Sequence, residues 1–221
     1  MKIILALVFF LGFALSSVHG QSSSQSPRIR SRVLAPDELV RQYQISVASM
    51  INNLPTHAQH RGAVAASPTQ QYQFHWTRDG ALVWQALLRV YQTTADPALK
   101  ANLIKRFQEW VQFEKKCLQS AAQLGLTRGE PKFNLDGSAY TGPWGRPQND
   151  GPALRAIVMS EWAFQLLAEG QRDYVRRELY TPNLGETTSL IKGDLEHSAK
   201  LGMCRLLILG KKLRGSTTTT L

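Results

Sequence analysis

The chain lacks most features that would mark a disulfide-stabilised, glycosylated or metal-binding protein. Cys117 and Cys204 are its two cysteines; they could form one disulfide in an oxidising compartment, but two cysteines do not establish that compartment. No Asn-x-Ser/Thr triplet occurs, so glycosylation gives no information either. No metal or other cofactor is implied, because His57, His60 and His75 share no ligand spacing with acidic residues and are interpreted as ordinary loop residues.

A second long apolar run is also absent, and the one that exists lies at the N-terminus. Lys2 is followed by IILALVFFLGFALSS and by small residues ending at Gly20, which predicts a secretory signal peptide over residues 1–20 and a secreted, extracellular protein. The run is too short for a comfortable membrane span; an N-terminal anchor is the alternative. Residues 21–35 are rich in Ser and Arg, show no apolar periodicity and are expected to form a disordered lead.

Acidic residues are missing from both ends of the chain, and this accounts for most of its net charge of +10. Nine of the 26 basic residues lie in the first 32 and the last 24 residues, where there is no Asp or Glu; this leaves 17 basic against 16 acidic residues elsewhere. Because the remaining charges are balanced and scattered, we expect no nucleic acid partner and no membrane partner.

Apolar residues recur at helical spacing between Pro36 and His197. A first helix begins at Pro36, a second from Gly80 to Gln92 is apolar on nearly every side and is expected to be buried all round, and a third follows an Asp96-Pro97 cap. A fourth follows a long loop, and two shorter ones are expected from Arg172 to Arg177 and from Thr187 to His197. The expected inner faces of the first, third and fourth helices are Leu39, Tyr43, Val47, Met50 and Leu54; Leu99, Leu103, Phe107 and Trp110; and Leu154, Val158, Trp162 and Leu166.

Strand patterns are nearly absent, and GAVAAS, Gly62 to Ser67, is the single short candidate. Helix follows helix through loops, so the sequence predicts an all-α domain in which an inner helix is enclosed by others. The region from Pro36 to His197 is long enough for one hydrophobic core.

Two loops carry the residues that could bind a ligand. The first, QYQFHWTRDG, Gln71 to Gly80, presents Tyr72, Trp76, Arg78 and Asp79 close together. A sugar needs an apolar face for its C–H surface and charged partners for its hydroxyls, and these residue types supply both. In a purely structural interpretation, Thr77 caps the helix, Asp79 complements its dipole and Trp76 packs in the core.

The second loop, GEPKFNLDGSAYTGPWGRPQNDGPALRA, runs from Gly129 to Ala156 and contains five glycines and four prolines. Its glycines permit tight turns, while its polar and aromatic residues offer contacts to a ligand: Lys132, Asn134, Asp136, Trp144, Arg146, Gln148 and Asp150. The structural alternative is that Trp144 fastens the loop to the domain and that Arg146 and Asp150 pair only with each other.

Together with the preceding GAVAASPT, the segments FHWTRDGALV and GEPKFNLDGSAYTGPWGRPQNDGPALRA resemble the glucoamylases of glycoside hydrolase family 15, from about Val47 to His197. The resemblance implies a partial (α/α)6 barrel (six-hairpin glycosidase-like), about its N-terminal half. It also implies release of glucose, with inversion, from the non-reducing ends of starch-type α-1,4-glucans. A full-length protein of this kind is expected to be a monomer.

By the same resemblance, Arg78 and Asp79 match the pair that grips the hydroxyls of the terminal glucose, and Tyr72 and Trp76 line that subsite. Lys132 reaches the sugar hydroxyls, and Trp144 covers the neighbouring subsite. Two positions depart from the family: His75 replaces a small polar residue, and Gly137 stands where an acidic residue is common. The second departure is expected to loosen the loop.

The catalytic acid is not found where the resemblance places it. An inverting glycosidase needs two carboxyl groups, and the family's acid lies in a Trp-Glu-Glu segment shortly after the helix ending near His197. Here residues 198–221 read SAKLGMCRLLILGKKLRGSTTTTL, without an acidic residue. A shift of the reading frame allows FSKTWDVPSFDPWEEVKGQHYYNF with permitted codons, so we interpret this tail as a frameshift product. A basic amphipathic membrane segment is the alternative, although its glycines disfavour a helix.

The sequence thus predicts a secreted glucoamylase-like hydrolase whose residues 36–197 form the N-terminal part of a catalytic domain. No catalytic residue is assigned, and the chain as written is expected to be inactive. The alternative is a non-catalytic carbohydrate-binding pseudoenzyme fragment.

Overall fold

The computed structural model describes residues 35–67, 69, 72–181 and 189–215, with the side chains of residues 203–215 left out. The predicted signal peptide and almost all of the predicted lead lie outside the described residues. The chain divides into two units, Met1–Glu38 and Leu39–Leu221, and the core and the candidate site both belong to the second. Within the described ranges, no helix combines the length and the apolar character needed to cross a membrane.

Helices make up most of the described part, and the all-α prediction is confirmed. The α-helices are α1 Pro36–Asn52, α2 Thr77–Thr93, α3 Pro97–Gln123, α4 Asp150–Ala168, α5 Arg172–Tyr174 and α6 Leu190–Gly215. A 3-10 turn covers Ala58–His60, and a π-helical turn, Val175–Leu179, continues α5. The two strands are short: β1 is His75–Trp76 and β2 is Lys132–Phe133.

The helix starts follow local sequence chemistry. The predicted cap of α3 is confirmed, because Asp96 Oδ1 accepts a hydrogen bond of 2.8 Å from the backbone N–H of Ala98, and Pro97 occupies the first turn. Helix α1 begins at Pro36 as expected, but Leu39 is 38% exposed and does not belong to the buried face. Leu54 is buried just beyond the end of α1.

The expectation that the second helix is buried all round is wrong. Helix α2 buries one face, while Arg89 is exposed and Leu82, Val83 and Ala86 are only partly buried. Helix α4 packs against both α2 and α6, with Val158, Trp162 and Leu166 buried as predicted, although Phe164 is 73% exposed. Apolar composition alone does not show which side of a helix faces solvent.

The centre of the core is a cluster of five aromatic rings from α2, α3 and α4: Trp84, Tyr91, Phe107, Trp110 and Trp162. The rings of Phe107 and Trp162 stack with centroids 4.3 Å apart, and those of Trp84 and Trp110 stack at 5.6 Å. Such ring pairs add to the free energy gained from burying the aromatic surface. This cluster therefore joins the three long helices that carry the candidate site.

The predicted strand GAVAAS does not form, since only Ala65 makes an isolated bridge, to His75. The predicted helix Thr187–His197 is observed from Leu190, its first residues lying outside the described part, and it continues to Gly215. The expectation that glycines would interrupt the tail is wrong for the backbone. A glycine inside a helix costs only about 1 kcal/mol, which is too little to stop a helix anchored by a well-packed first half.

Cys117 is a free, fully buried cysteine in α3. The side chain of its possible partner, Cys204, lies outside the described residues. Burial in apolar surroundings raises the pKa of the Cys117 thiol well above its ordinary value, with the nearby Glu114 carboxylate adding to this effect. The thiol is therefore held in its neutral, unreactive form.

Candidate functional site

A two-residue strand pair joins the two loops singled out in the sequence. Strand β1 pairs antiparallel with β2, so that His75 lies opposite Phe133 and Trp76 opposite Lys132. The backbone N–H of Thr77 continues the contact by donating to Pro131 O at 3.1 Å. Because β1 ends at the residue before α2, this pairing fixes the second loop against the start of that helix.

Lys132 lies inside a set of aromatic rings. Its ammonium nitrogen is 3.8 Å from the ring centroid of Tyr140, 3.9 Å from that of Phe74, 4.6 Å from that of Trp144 and 5.5 Å from that of Trp76. The residue is 5% exposed, and this burial lowers the pKa of its side chain. Attraction between a cation and ring faces offsets part of the desolvation. We call these five residues the aromatic wall.

The structure brings together three of the six predicted site residues in this wall. Trp76 and Trp144 meet edge to face, with ring centroids 4.9 Å apart, and both lie near Lys132. Trp76 is buried, whereas Trp144 is 44% exposed and presents ring surface to solvent. Trp144 therefore both fastens its loop to the first loop, as the structural interpretation has it, and leaves a face on which a ligand can stack.

Arg78 and Asp79 stand in the first turn of α2, two and three residues after Trp76. Arg78 is engaged by a residue of the second loop, because its Nη1 donates to Asp150 Oδ2 at 2.6 Å. Although burial alone would raise it, the pKa of Asp150 is lowered, mainly by this hydrogen bond from Arg78. Both partners remain partly exposed, so a ligand hydroxyl would share the guanidinium with Asp150.

Tyr72 lies outside the wall, as Arg78 and Asp79 do. It is 53% exposed, and among the described residues its ring contacts no other aromatic ring. The structural interpretation of Thr77 as a side-chain cap is wrong, because α2 has no side-chain cap and Thr77 Oγ1 donates instead to Glu130 O at 3.2 Å.

The second loop is well ordered rather than a linker. Arg146 does not pair with Asp150, as its structural interpretation supposed; it forms an ion pair with Glu130 at 2.9 Å and donates to Tyr140 O at 2.8 Å. The backbone N–H of Gln148 donates to Gly129 O at 2.8 Å and closes the two ends of the loop.

Gly137 does not loosen this loop, contrary to expectation. Its backbone adopts a φ of +86°, and its N–H donates to Asn134 O at 2.9 Å. Asp136 Oδ1 accepts hydrogen bonds from both the backbone and the side chain of Ser138. A side chain at position 137 would be strained at this φ and would meet Lys116 at about 3.0 Å, so glycine suits the turn.

His75 is the functional candidate that the sequence interpretation missed. It is not an ordinary loop residue, since it is fully buried and its two ring nitrogens are both engaged. Nδ1 accepts from the backbone N–H of Val64 at 3.1 Å, so the ring proton lies on Nε2, which donates to Glu114 Oε1 at 2.9 Å. No sequence spacing reveals this pair, because Glu114 lies 39 positions away on α3.

Behind the wall, Glu114 begins a buried ion-pair network that reaches α6. Glu114 Oε2 accepts from Arg155 Nη1 at 2.6 Å, and Arg155 donates twice to Asp194, at 2.7 and 2.8 Å. Arg128 Nε also donates to Asp194, at 2.8 Å. Such burial is tolerable because each carboxylate has several charged or polar donors. The network joins β1, which carries Trp76 of the wall, to α3, α4 and α6.

Acid should weaken this network over a defined pH range. Burial alone would raise the pKa of Glu114, but Arg155 and then His75 lower it to about 2, from an ordinary value of 4.5. A carboxyl group with a lowered pKa in the folded state stabilises the fold at neutral pH, and this contribution is lost as pH falls from about 4.5 to about 2. In urea unfolding at a series of pH values, the free energy of unfolding should decline more gently for Glu114→Gln than for the unchanged chain; equal slopes would contradict the assignment.

Comparison with known proteins agrees with this arrangement of loops and helices. The sequence profile of glycosyl hydrolases family 15 matches residues 41–187. The chain belongs to this family. A probable glucoamylase of Schizosaccharomyces pombe is 35% identical over 173 residues, which cover 74% of this chain and 38% of that protein. A glucoamylase of Blastobotrys adeninivorans is 34% identical over 163 residues, 70% of this chain and 25% of the relative.

Solved structures of the family show the same fold. The family 15 glucoamylase of Hypocrea jecorina matches with a TM-score of 0.58 at 29% identity, covering 73% of this chain and 27% of that one. The glucoamylase of Saccharomycopsis fibuligera matches with a TM-score of 0.57 at 28% identity, covering 73% and 36%. The chain thus corresponds to part of an (α/α)6 barrel, as the resemblance implied, and it spans well under half the length of the relatives it matches.

Proposed function

We propose that this chain carries the sugar-recognition part of a glucoamylase-like hydrolase acting on the non-reducing ends of starch-type α-1,4-glucans. The observation that carries the proposal is the meeting of Trp76, Lys132 and Trp144 in one aromatic wall. Family membership and the glucoamylase relatives supply the substrate class. In a complete enzyme of this kind, hydrolysis proceeds with inversion.

The wall has the chemistry that a terminal glucose requires. The exposed face of Trp144 offers apolar surface to the C–H face of a sugar ring, while Lys132 supplies a cation for its hydroxyls. Within the described residues, the indole N–H of Trp76 is buried without a hydrogen-bond partner. An unpaired buried donor costs free energy, and a sugar hydroxyl would satisfy it. Arg78 and Asp79, at the start of α2, would bind vicinal hydroxyls, with Tyr72 at the outer edge.

We further propose that a polypeptide of this sequence binds glucan ends without hydrolysing them. Inversion needs one carboxyl group to donate a proton and a second to activate water. Two described carboxylates of the second loop are engaged by arginines, since Glu130 pairs with Arg146 and Asp150 with Arg78, and the family resemblance assigns Asp79 to the sugar hydroxyls. No Trp-Glu-Glu segment occurs in the 221 residues. A non-catalytic carbohydrate-binding role is the second candidate function, and the ordered wall favours it.

One experiment separates these functions. The purified chain should release no glucose from soluble starch, yet it should bind maltose, as measured by titration calorimetry. Trp144→Ala should weaken maltose binding at least tenfold, because it removes the exposed stacking face. Phe164→Ala, which removes an even more exposed aromatic side chain on α4 (73% against 44% for Trp144), is the control and should leave binding unchanged.

Two other outcomes of this experiment would contradict these proposals. Glucose release that is abolished by Asp79→Ala would show that the chain is a working hydrolase. Absence of maltose binding by the unchanged, folded chain would remove the recognition function from this polypeptide.

We also propose that residues 198–221 come from a shifted reading frame and that residues 1–20 direct secretion. The shifted reading restores a Trp-Glu-Glu at the position that the family resemblance implies. Genomic and transcript sequencing across the His197 codon tests the first point: an intact frame encoding SAKLGMC in independent transcripts would contradict it.

A further inference from the structure

His75 is the only side chain of β1 that faces the core, and the residues on either side of it face the wall. Successive side chains of an extended segment point to opposite sides. Phe74 and Trp76 accordingly approach the Lys132 ammonium, whereas the His75 imidazole lies against the ring of Phe113, with centroids 4.9 Å apart. A change in the backbone torsions at His75 would therefore turn both neighbouring rings relative to Lys132.

Four contacts hold His75 in place. Its backbone pairs with Phe133 in β2 and bridges Ala65. Its imidazole binds the Val64 N–H and Glu114, as described above, and Glu114 also accepts from Trp110 Nε1 at 2.8 Å. Since Arg155 fixes the other oxygen of Glu114, the carboxylate that receives the imidazole proton has little freedom to move.

Gly80 provides an independent sign that this position is built for histidine. A Cβ at residue 80 would lie 2.8 Å from His75 Cε1, closer than ordinary van der Waals contact. Helix α2 therefore has room for the imidazole only because its fourth residue has no side chain. Histidine at 75 and glycine at 80 form a sterically matched pair within the segment FHWTRDG.

We propose that His75 is a positioning residue for sugar recognition: by anchoring β1 to Glu114 it sets the orientation of Trp76 and, through β2, of Lys132. This role rests on the proposed function of the wall and adds a residue that itself contacts no sugar. The proposal also links the buried network of Glu114, Arg155 and Asp194 to the site. Arg155 fixes the Glu114 carboxylate, and that carboxylate accepts the hydrogen bond from His75.

The test uses the full chain and two readouts. The difference in circular dichroism between each protein and the same protein carrying Trp144→Ala reports the coupling of the Trp76 and Trp144 rings. Maltose affinity by titration calorimetry reports recognition. His75→Phe keeps the ring but loses both hydrogen bonds; it should lose most of the ring-coupling signal and bind maltose at least tenfold more weakly. His75→Gln, whose side-chain amide can donate to Glu114, should recover most of both signals.

Two controls separate position from stability. Leu103→Ala truncates the core away from β1 and should lower the unfolding midpoint without changing the ring-coupling signal or the maltose affinity. His57→Phe makes the same substitution at an exposed loop position and should change nothing. If His75→Phe does not fold, Gly80→Ala replaces it, since its methyl group displaces the imidazole without deleting a hydrogen-bonding group.

Each outcome bears on the proposal. Retention of the ring-coupling signal and of maltose affinity within twofold in folded His75→Phe, or in Gly80→Ala, would overturn it. Equal losses in Leu103→Ala and His75→Phe would reduce His75 to a stabilising residue and overturn it as well. If the unchanged chain binds no maltose, the proposed function fails, and the ring-coupling signal alone then decides whether His75 positions the wall.

Discussion

Replacing Arg155 with leucine should lower the free energy of unfolding by about 3–5 kcal/mol, the cost typical of removing one partner from a buried ion pair. Arg155 is fully buried, and its guanidinium contacts Glu114 on one side and Asp194 on the other. Leucine would leave both carboxylates in the core without their shared cation. Urea unfolding at pH 7, followed by far-ultraviolet circular dichroism, measures the loss.

A matched control lies on the surface of the same protein. Arg177 also pairs with a carboxylate, Glu178, but its side chain is 67% exposed. Arg177→Leu should therefore change the free energy of unfolding by less than about 1 kcal/mol, as expected of exposed pairs. Similar losses for the two variants would show that burial of the Glu114–Arg155–Asp194 network contributes nothing beyond a surface ion pair.

Truncating Trp162 to alanine should cost about 3–5 kcal/mol as well, for a different reason. This side chain is fully buried, stacks on Phe107 with centroids 4.3 Å apart and donates from Nε1 to Trp84 O at 3.1 Å. Alanine would leave a cavity between α2, α3 and α4 and an unpaired carbonyl oxygen. Chemical denaturation, followed by circular dichroism rather than tryptophan fluorescence, measures the change.

Trp144→Ala is the control for this second substitution, because it removes the same number of atoms from a half-exposed side chain. We expect it to cost less than half as much stability as Trp162→Ala while abolishing far more of the maltose binding. The reverse ranking in stability would mean that the wall, and not the ring cluster, holds the helices together.

These two substitutions concern the support of the candidate site rather than the site itself. The ring cluster joins α2, α3 and α4, and the buried network joins β1 to α6. Both therefore support the elements against which the aromatic wall packs. A recognition surface must hold its contacting groups in fixed orientations, and packed elements with buried hydrogen bonds provide this better than loops alone. Trp144→Ala should therefore weaken sugar binding with little loss of stability, whereas Arg155→Leu should lower both the free energy of unfolding and the affinity for sugar.

Much of this molecule follows from its sequence alone. Helical spacing predicts the apolar faces of α3 and α4 and, apart from Leu39, that of α1. Asp96-Pro97 marks the start of α3 because a short acceptor side chain and a proline suit the first turn. The two loop motifs identified the family, since their residue types and order are specific. The family resemblance of these motifs also predicts Trp76, Lys132 and Trp144 as site residues.

Only the tertiary structure decided how those residues are arranged. Lys132 lies among four rings, Arg78 is engaged by Asp150, 72 positions away, and Tyr72 stands apart. His75, taken from the sequence for a loop residue, is buried against Glu114, and α2, taken for an enclosed helix, is open on one face. Sequence patterns encode local geometry and burial tendency, whereas pairings across 39 or more positions depend on which helices pack together. The residue types of the aromatic wall therefore follow from the sequence, whereas the buried contacts of Glu114, Arg155 and Asp194 depend on helix packing that no local pattern reveals.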